Sequence, residues 1–271
     1  MKTIKLFFDE PSHTYKDEEN RDYISVTTFI DTFKEKFDTE KWAKIDADKA
    51  GTSPEAIKRS WANITDIACA KGSKEHNFIE DTVNGAKASI GGSSASYKYK
   101  VTTLAELELS PLKRNHADIY FKLVELVRAG AVIFAEKRVY SYDHRVAGTI
   151  DLLALYKGTF LILDWKTNKH IPRFDAGYYK KKWVGNVKVE TGVWQPLNKK
   201  FFYPISNLAD SKGNAYALQL SMYAYLCELF GLICKGLMLY HIDLSTEKRK
   251  ITLIKMPYLK NEVKLMLETR L

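Results

Sequence analysis

The sequence predicts an α/β fold, a mixed central sheet flanked by helices and preceded by a helical N-terminal portion. Short β-rich runs bounded by turn signals cluster between residues 131 and 167, and helical apolar spacing dominates on either side of them. With 271 residues and 45% hydrophobic content, the chain can bury a full core as one elaborated domain. Within it, 1–130 is mostly helical, 131–256 forms the core with a basic aromatic insertion at 170–213, and 257–271 is a C-terminal helix.

The elements follow in order. Residues 4–8 and 20–26 read as a small strand pair, and Thr27 or Thr28 caps a helix running toward Phe37. Helices are expected at 40–50, 54–82 and 111–129, and the stretch 84–98, with GGSSAS at its middle, reads as a flexible loop. Strands at 131–140, 146–156 and 159–167 come next, then a helix at 214–231, strands near 235–243 and 250–255, and a final helix from 257. No apolar run reaches the roughly 18 residues that span a bilayer, and MKTIKLFFDE turns acidic too soon for a signal peptide, so a cytoplasmic protein without a membrane partner is expected. Cys69, Cys227 and Cys234 are odd in number and lack metal-knuckle spacing, which argues against a disulfide framework and a zinc site.

The most informative stretch is VAGTIDLLALYKGTFLILDWKTN, from Val146 to Asn168. Two β-forming runs, Thr149 to Tyr156 and Thr159 to Trp165, are separated by Lys157 and Gly158, a two-residue break of hairpin type. With that break as the turn, Asp151 faces Asp164, and strand alternation puts Lys166 on the same face as Asp164. An isolated Asp-x-Lys triplet more often marks the solvated end of a strand. Two opposed carboxylates, however, destabilise a sheet unless something sits between them, and the candidate is a divalent cation. Carboxylates plus water suit a hard ion such as Mg²⁺, with Mn²⁺ as a substitute, and such ions bridge to phosphate oxygens. Phosphodiester hydrolysis fits: Asp151 and Asp164 would hold the metal, and Lys166 would either orient or deprotonate water or stabilise developing negative charge.

These residues resemble the PD-(D/E)XK nuclease superfamily, in particular its RecB-like branch, which includes phage and mitochondrial genome maintenance exonucleases. Four stretches carry the resemblance in the family's order: KGSKEHNFIED, GTID, DWK and ALQLSMYAY. It implies a restriction-endonuclease-like core. It also implies His76 as a metal ligand, Glu80 as a nearby carboxylate, Asp151, Asp164 and Lys166 as the catalytic group, and Gln219 and Tyr223 as strand-holding or lysine-ordering residues. Glu136, in the strand before the hairpin, is a further metal candidate, because an acidic residue there sometimes joins the metal shell in related nucleases. His76 and Glu80 are four apart, as are Gln219 and Tyr223, so each pair shares a helix face; Tyr223 could equally be core. Some RecB-like nucleases carry an iron–sulfur cluster on four cysteines, and three cannot complete one.

The net charge of +9 favours a polyanionic partner. Between His170 and Tyr203 seven lysines and arginines stand against two acids, interleaved with eight aromatic residues. Cations for phosphates and ring faces for bases suit single-stranded nucleic acid, and Lys169, Arg173, Lys180, Lys181, Lys182 and Trp183 are the candidate contacts. A solvated insertion whose aromatics pack on the core is the alternative. The sequence reading is therefore a Mg²⁺-dependent DNA nuclease, an exonuclease on single-stranded ends. Its alternatives are a structure-specific or restriction-like endonuclease and a non-catalytic nucleic-acid-binding module. No Gly-x-x-x-x-Gly-Lys-Ser/Thr loop is present, so any ATP coupling would come from a partner such as a helicase or a recombinase. The expected setting is a bacterial or phage-infected cell.

Overall fold

Both turn residues of the central hairpin have left-handed backbones, Lys157 at φ 45° and Gly158 at φ 76°. That is the two-residue turn whose twist matches paired strands. The computed structural model describes residues 3–9, 14–84, 110–185, 187–245 and 249–271. In it β5 (Val146–Tyr156) and β6 (Thr159–Lys166) pair in the expected register, from Tyr156↔Thr159 to Leu152↔Leu163. The ladder stops there. At the next position the Asp151 carboxylate reaches across in place of the backbone, its Oδ2 accepting a hydrogen bond from Trp165 N at 3.1 Å. Asp151 and Asp164 are thus neighbours but not ladder partners, because the strands diverge at the first pair of charges.

Around this hairpin the strands run β1 (Leu6–Asp9), β2 (Thr14–Asp17), β3 (Asp22–Ser25), β5, β6, β9 (Ile233–Asp243), β10 (Lys250–Met256), with β4 (Val132–Ser141) also on β5. The sheet is mixed: β6–β9 and β3–β5 are parallel and the other pairs antiparallel. β3 meets β5 only at Val146 and Ala147, and β6 meets it only from Leu152 onward. One edge of β5 is therefore uncovered between them, from Gly148 to Asp151.

Helices cover both faces. On one side α1 (Val26–Asp31), α6 (Lys212–Glu228) and α7 (Lys260–Glu268) pack on Phe160 and Ile162. On the other, the end of α3 (Pro54–Asn84) and α5 (Ala117–Arg128) pack on Leu163 and Trp165. Strand alternation supplies these two apolar faces, each fully buried side chain contributing about 1.5–3 kcal/mol. The alternation breaks at Asp151: Ile150 joins the α6 cluster, and Leu152, two residues on, joins the α5 cluster. Opposite it on β4, Glu136 interrupts the pairing between Ala135↔Leu152 and Lys137↔Ile150 with a φ of 48°. Such a backbone is uncommon for a residue with a side chain and here twists the strand locally.

Several boundaries differ from expectation. Residues 4–8 and 20–26 do not pair with each other, because β2 lies between them. Ser25, not Thr27 or Thr28, caps α1, its Oγ accepting from Thr28 N. The helix expected at 111–129 is two, α4 (Ser110–Asn115) and α5, broken at His116, which is buried with its Nε2 against the Glu75 carboxylate of α3. Glu75 is held on its other side by Arg249 at 3.0 Å. α2 (Thr39–Ala50) ends on a left-handed Gly51, and Pro54 opens α3 behind a Ser53 cap. Within the insertion, β7 (Gly177–Val184) and β8 (Val187–Pro196) form a separate two-stranded ribbon that sequence reading missed. The loop expected at 84–98 lies outside the described residues apart from Asn84. Among the described residues no helix is long and apolar enough to cross a membrane.

Candidate active site

The uncovered edge of β5 opens onto a cleft of about 840 Å³ between α3, α6 and the ends of β5 and β6. His76, Glu80, Glu136, Asp151, Lys166, Gln219 and Tyr223 all line it. Five separated sequence segments thus converge on one cavity. Asp164 stands just behind the wall, 1% exposed.

His76, Glu136 and Asp151 each bring a ligand atom within 4.8 Å of the others, a group able to hold a divalent metal. His76 Nδ1 is 3.7 Å from Asp151 Oδ2. Asp164 lies outside this trio: its Oδ2 is 2.7 Å from Lys166 Nζ, while its buried Oδ1 has no hydrogen-bond partner among the described residues. A buried, unsatisfied carboxylate oxygen beside two further acids suits a cation, because an added positive charge offsets the cost of burying them. Glu136, a minor candidate from sequence, becomes a central one because its twisted backbone places it across from Asp151.

The electrostatics reflect that crowding. Burial, then the charges of Asp151, Glu80 and Asp164, pushes Glu136 well above the ordinary carboxylate range. Burial also raises Asp151, against the opposing effects of Lys166 and the Trp165 N–H. Asp164 is pushed up to about 6 by burial and then by the Asp151 charge. Burial acts to lower Lys166, but the Asp164 and Asp151 charges outweigh it and hold the ammonium above its usual range. Lys166 is therefore held as a cation among these acids. His76 falls to about 4 through burial and the Lys166 charge, leaving the neutral imidazole that can act as a ligand.

Gln219 and Tyr223 engage each other, Gln219 Nε2 donating to Tyr223 Oη at 3.0 Å. The Tyr223 ring fills the uncovered β5 edge: a Cβ added to Gly148 would lie 2.5 Å from its Cε1. That close approach explains the glycine of GTID. Gly148→Ala is expected to cost about 1–3 kcal/mol by overpacking and to lower the melting temperature. Thermal unfolding followed by circular dichroism checks it; an unchanged midpoint would mean that the ring moves aside freely. Sequence reading missed Thr149, which shares a 3.0 Å hydrogen bond with Tyr15 on the cleft wall, and Thr167 and Asn168, which follow Lys166 along it.

The basic aromatic segment is not brought into the cleft: among the described residues, none of Lys169, Arg173, Lys180, Lys181, Lys182 and Trp183 lines it. Several of its charges are already paired. Lys169 is 3.2 Å from Glu190, Arg173 is bound to Asp175, and Lys188 reaches Asp46 of α2 at 2.6 Å. Trp183 is half-buried with the Lys188 ammonium 5.5 Å from its ring centre. Lys180, Lys181 and Lys182 are exposed and have no ion pair among the described residues. Beyond a register shift between Tyr179 and Lys181, alternation puts Lys181 and Trp183 on one ribbon face and Lys182 on the other.

No family model matches the chain, and no curated protein matches it. Among solved structures, a provisionally named exonuclease from Eubacterium rectale aligns over 91% of this chain and 77% of its own, at 11% sequence identity and a TM-score of 0.31. That likeness is too low to assign a function. The side chains themselves define a mixed α/β protein with a histidine-and-carboxylate cleft fit for a divalent metal ion.

Proposed function

We propose that this protein is a divalent-metal-dependent nuclease that hydrolyses phosphodiester bonds in DNA, acting as an exonuclease on single-stranded ends. The observation that carries the reading is the convergence of His76, Glu136 and Asp151 beside the Asp164–Lys166 pair in one cleft. His76, Glu136 and Asp151 would hold the ion, with Glu80 lining the same cleft and Asp164 holding Lys166 beside it. When bound, Mg²⁺ or Mn²⁺ supplies positive charge beside the phosphate and acidifies water. The Lys166 ammonium stabilises negative charge that develops on the phosphate oxygens. The Gln219–Tyr223 pair borders the strand path. Glu80, Asp81, Glu136 and Asp151 lining one cavity would repel a polyanion by themselves, so phosphate entry depends on the cation and on Lys166 and Arg138 of the lining.

A time course with Mg²⁺ on linear single-stranded, linear duplex and closed circular DNA, with an RNA strand in parallel, tests the reading. Shortening of linear single strands alone supports it, cutting of closed circles makes the protein an endonuclease, and no cleavage in Mg²⁺ or Mn²⁺ overturns it.

The ribbon is the proposed contact for the strand outside the cleft. Replacing Lys180, Lys181 and Lys182 by alanine is expected to weaken DNA binding and to flatten its salt dependence, since up to about two fewer counterions are released on binding, roughly 0.7 for each of three single-strand phosphate contacts. Trp183→Ala should weaken single-strand binding more than duplex binding, because only unpaired bases offer a free face. Titrations at several salt concentrations check both. An unchanged salt slope would remove the lysines from the path, and equal losses on single strand and duplex would make Trp183 a packing residue.

A further inference from the structure

Lys166 ends β6, and its four-carbon stem reaches into the cleft from a point where the chain leaves the sheet. Asp164 holds its ammonium from one side only, at 2.7 Å. A single ionic contact fixes a distance but leaves the ammonium free to swing around the carboxylate. Something else must restrict it if it is to meet a phosphate in one geometry.

We infer that Tyr216, Asn168 and His241 are positioning residues for Lys166, a role that rests on the nuclease reading of this cleft. The Tyr216 ring centre lies 5.4 Å from Lys166 Nζ, within reach of a cation–π interaction. The same residue's hydroxyl donates to Asn168 Oδ1 at 2.6 Å. His241 Nε2 donates to the main-chain oxygen of Asn168, also at 2.6 Å. His241 is 3% exposed and is the register partner of Lys166 on β9. Asn168 is therefore gripped by its side chain from α6 and by its carbonyl from β9. The lysine is confined three ways: by the carboxylate below it, by the ring beside it, and by the pinned segment that follows it.

The position of Tyr216 on α6 makes this arrangement economical. It lies three residues before Gln219 and seven before Tyr223, so all three share one helix face. Gln219 and Tyr223 satisfy each other, whereas Tyr216 turns its hydroxyl to the β6 exit and its ring to the ammonium. Tyr216→Phe keeps the ring and removes the tether, Asn168→Ala removes the tether and keeps the ring, and Tyr216→Leu removes both.

The test uses the full chain with selectively labelled lysine, the Lys166 signal being assigned by its loss in Lys166→Arg. In wild type and Tyr216→Phe the ε-methylene protons of Lys166 should carry an upfield ring-current shift, and Tyr216→Leu should lose it. In cleavage assays Tyr216→Leu should lower kcat by roughly 10- to 100-fold, the scale of an ångström-level misplacement, with DNA affinity unchanged. Tyr216→Phe should lose much less. Tyr216→Phe and Asn168→Ala delete the same hydrogen bond, so their small losses should be equal and should not add in the double variant. The inference is overturned if Lys166 shows no ring-current shift in the wild type, if Tyr216→Leu weakens affinity and leaves kcat intact, or if the two tether losses are additive. Should Tyr216→Leu not fold, the wild-type shift and the tether cycle still decide. Absence of cleavage by the wild type would instead defeat the nuclease reading, and the shift would still report whether the ring holds the lysine.

Discussion

Alanine in place of Asp151 or Lys166 is expected to reduce DNA cleavage by roughly 10³-fold or more, since each change removes charge aimed at the reacting phosphate or at its cation. Asp151 belongs to the His76–Glu136–Asp151 trio, and Lys166, held by Asp164, lines the same cleft. Asp164→Ala should be equally inactive, but it also strips Lys166 of its counter-ion. The Lys166 side chain is only 17% exposed, and breaking a buried pair of this kind costs about 3–5 kcal/mol. The double variant Asp164→Asn/Lys166→Met, which keeps the stem and removes both charges together, separates chemistry from folding. It should remain folded by circular dichroism and should still bind DNA through the ribbon. Full activity in any of the three single alanine variants would remove that residue from the mechanism. His76→Ala should be milder and partly rescued by Mn²⁺, which tolerates a poorer ligand set than Mg²⁺ does. An unchanged metal requirement would leave His76 with a purely structural role against Trp165, whose ring centre is 6.0 Å away.

The second large effect is on stability. A cation that binds only the folded protein stabilises it by about 2.7 kcal/mol at a hundredfold excess over Kd, worth roughly 5–10 °C in a domain of this size. Mg²⁺ or Mn²⁺ should raise the melting temperature of the wild type by that order. Asp151→Asn should raise the midpoint in EDTA and blunt the response to metal. The asparagine keeps an oxygen to accept the Trp165 N–H and removes one of the crowded charges.

The sign with pH follows from the raised carboxyls. An acid whose folded pKa lies above its unfolded value binds protons more tightly when folded, so stability falls as pH rises through the interval between the two values. Asp164 spans from 3.8 to about 6, and Asp151 shifts in the same direction. The advantage of Asp151→Asn in EDTA should therefore be largest near neutral pH and shrink as pH falls toward 4. Melts across that range with EDTA and with metal check it. An asparagine variant that melts lower at pH 7 and responds to Mn²⁺ like the wild type would separate Asp151 from any metal.

The hairpin shows how much was legible without coordinates. Turn chemistry at Lys157 and Gly158 and the period-two alternation of the two runs are local properties, and they sufficed to set the register of β5 on β6 and to put Asp164 and Lys166 on one face. Helical spacing likewise paired His76 with Glu80 and Gln219 with Tyr223, and each pair reaches the cleft. What local rules could not supply was decided by burial and by contacts distant in sequence. The strands part at Asp151, whose carboxylate accepts the Trp165 N–H in place of a backbone oxygen. Glu136 enters the metal group through a left-handed backbone that no residue preference announces. The helix breaks at His116, where the side chain meets Glu75 of another helix, a contact distant in sequence. The charge of Lys166 was open in the sequence, since burial and neighbouring acids act on it in opposite directions. Only their placement in the fold settles which prevails, because desolvation depends on how much of the lysine is covered and the Coulomb attraction on the 2.7 Å that separates it from Asp164.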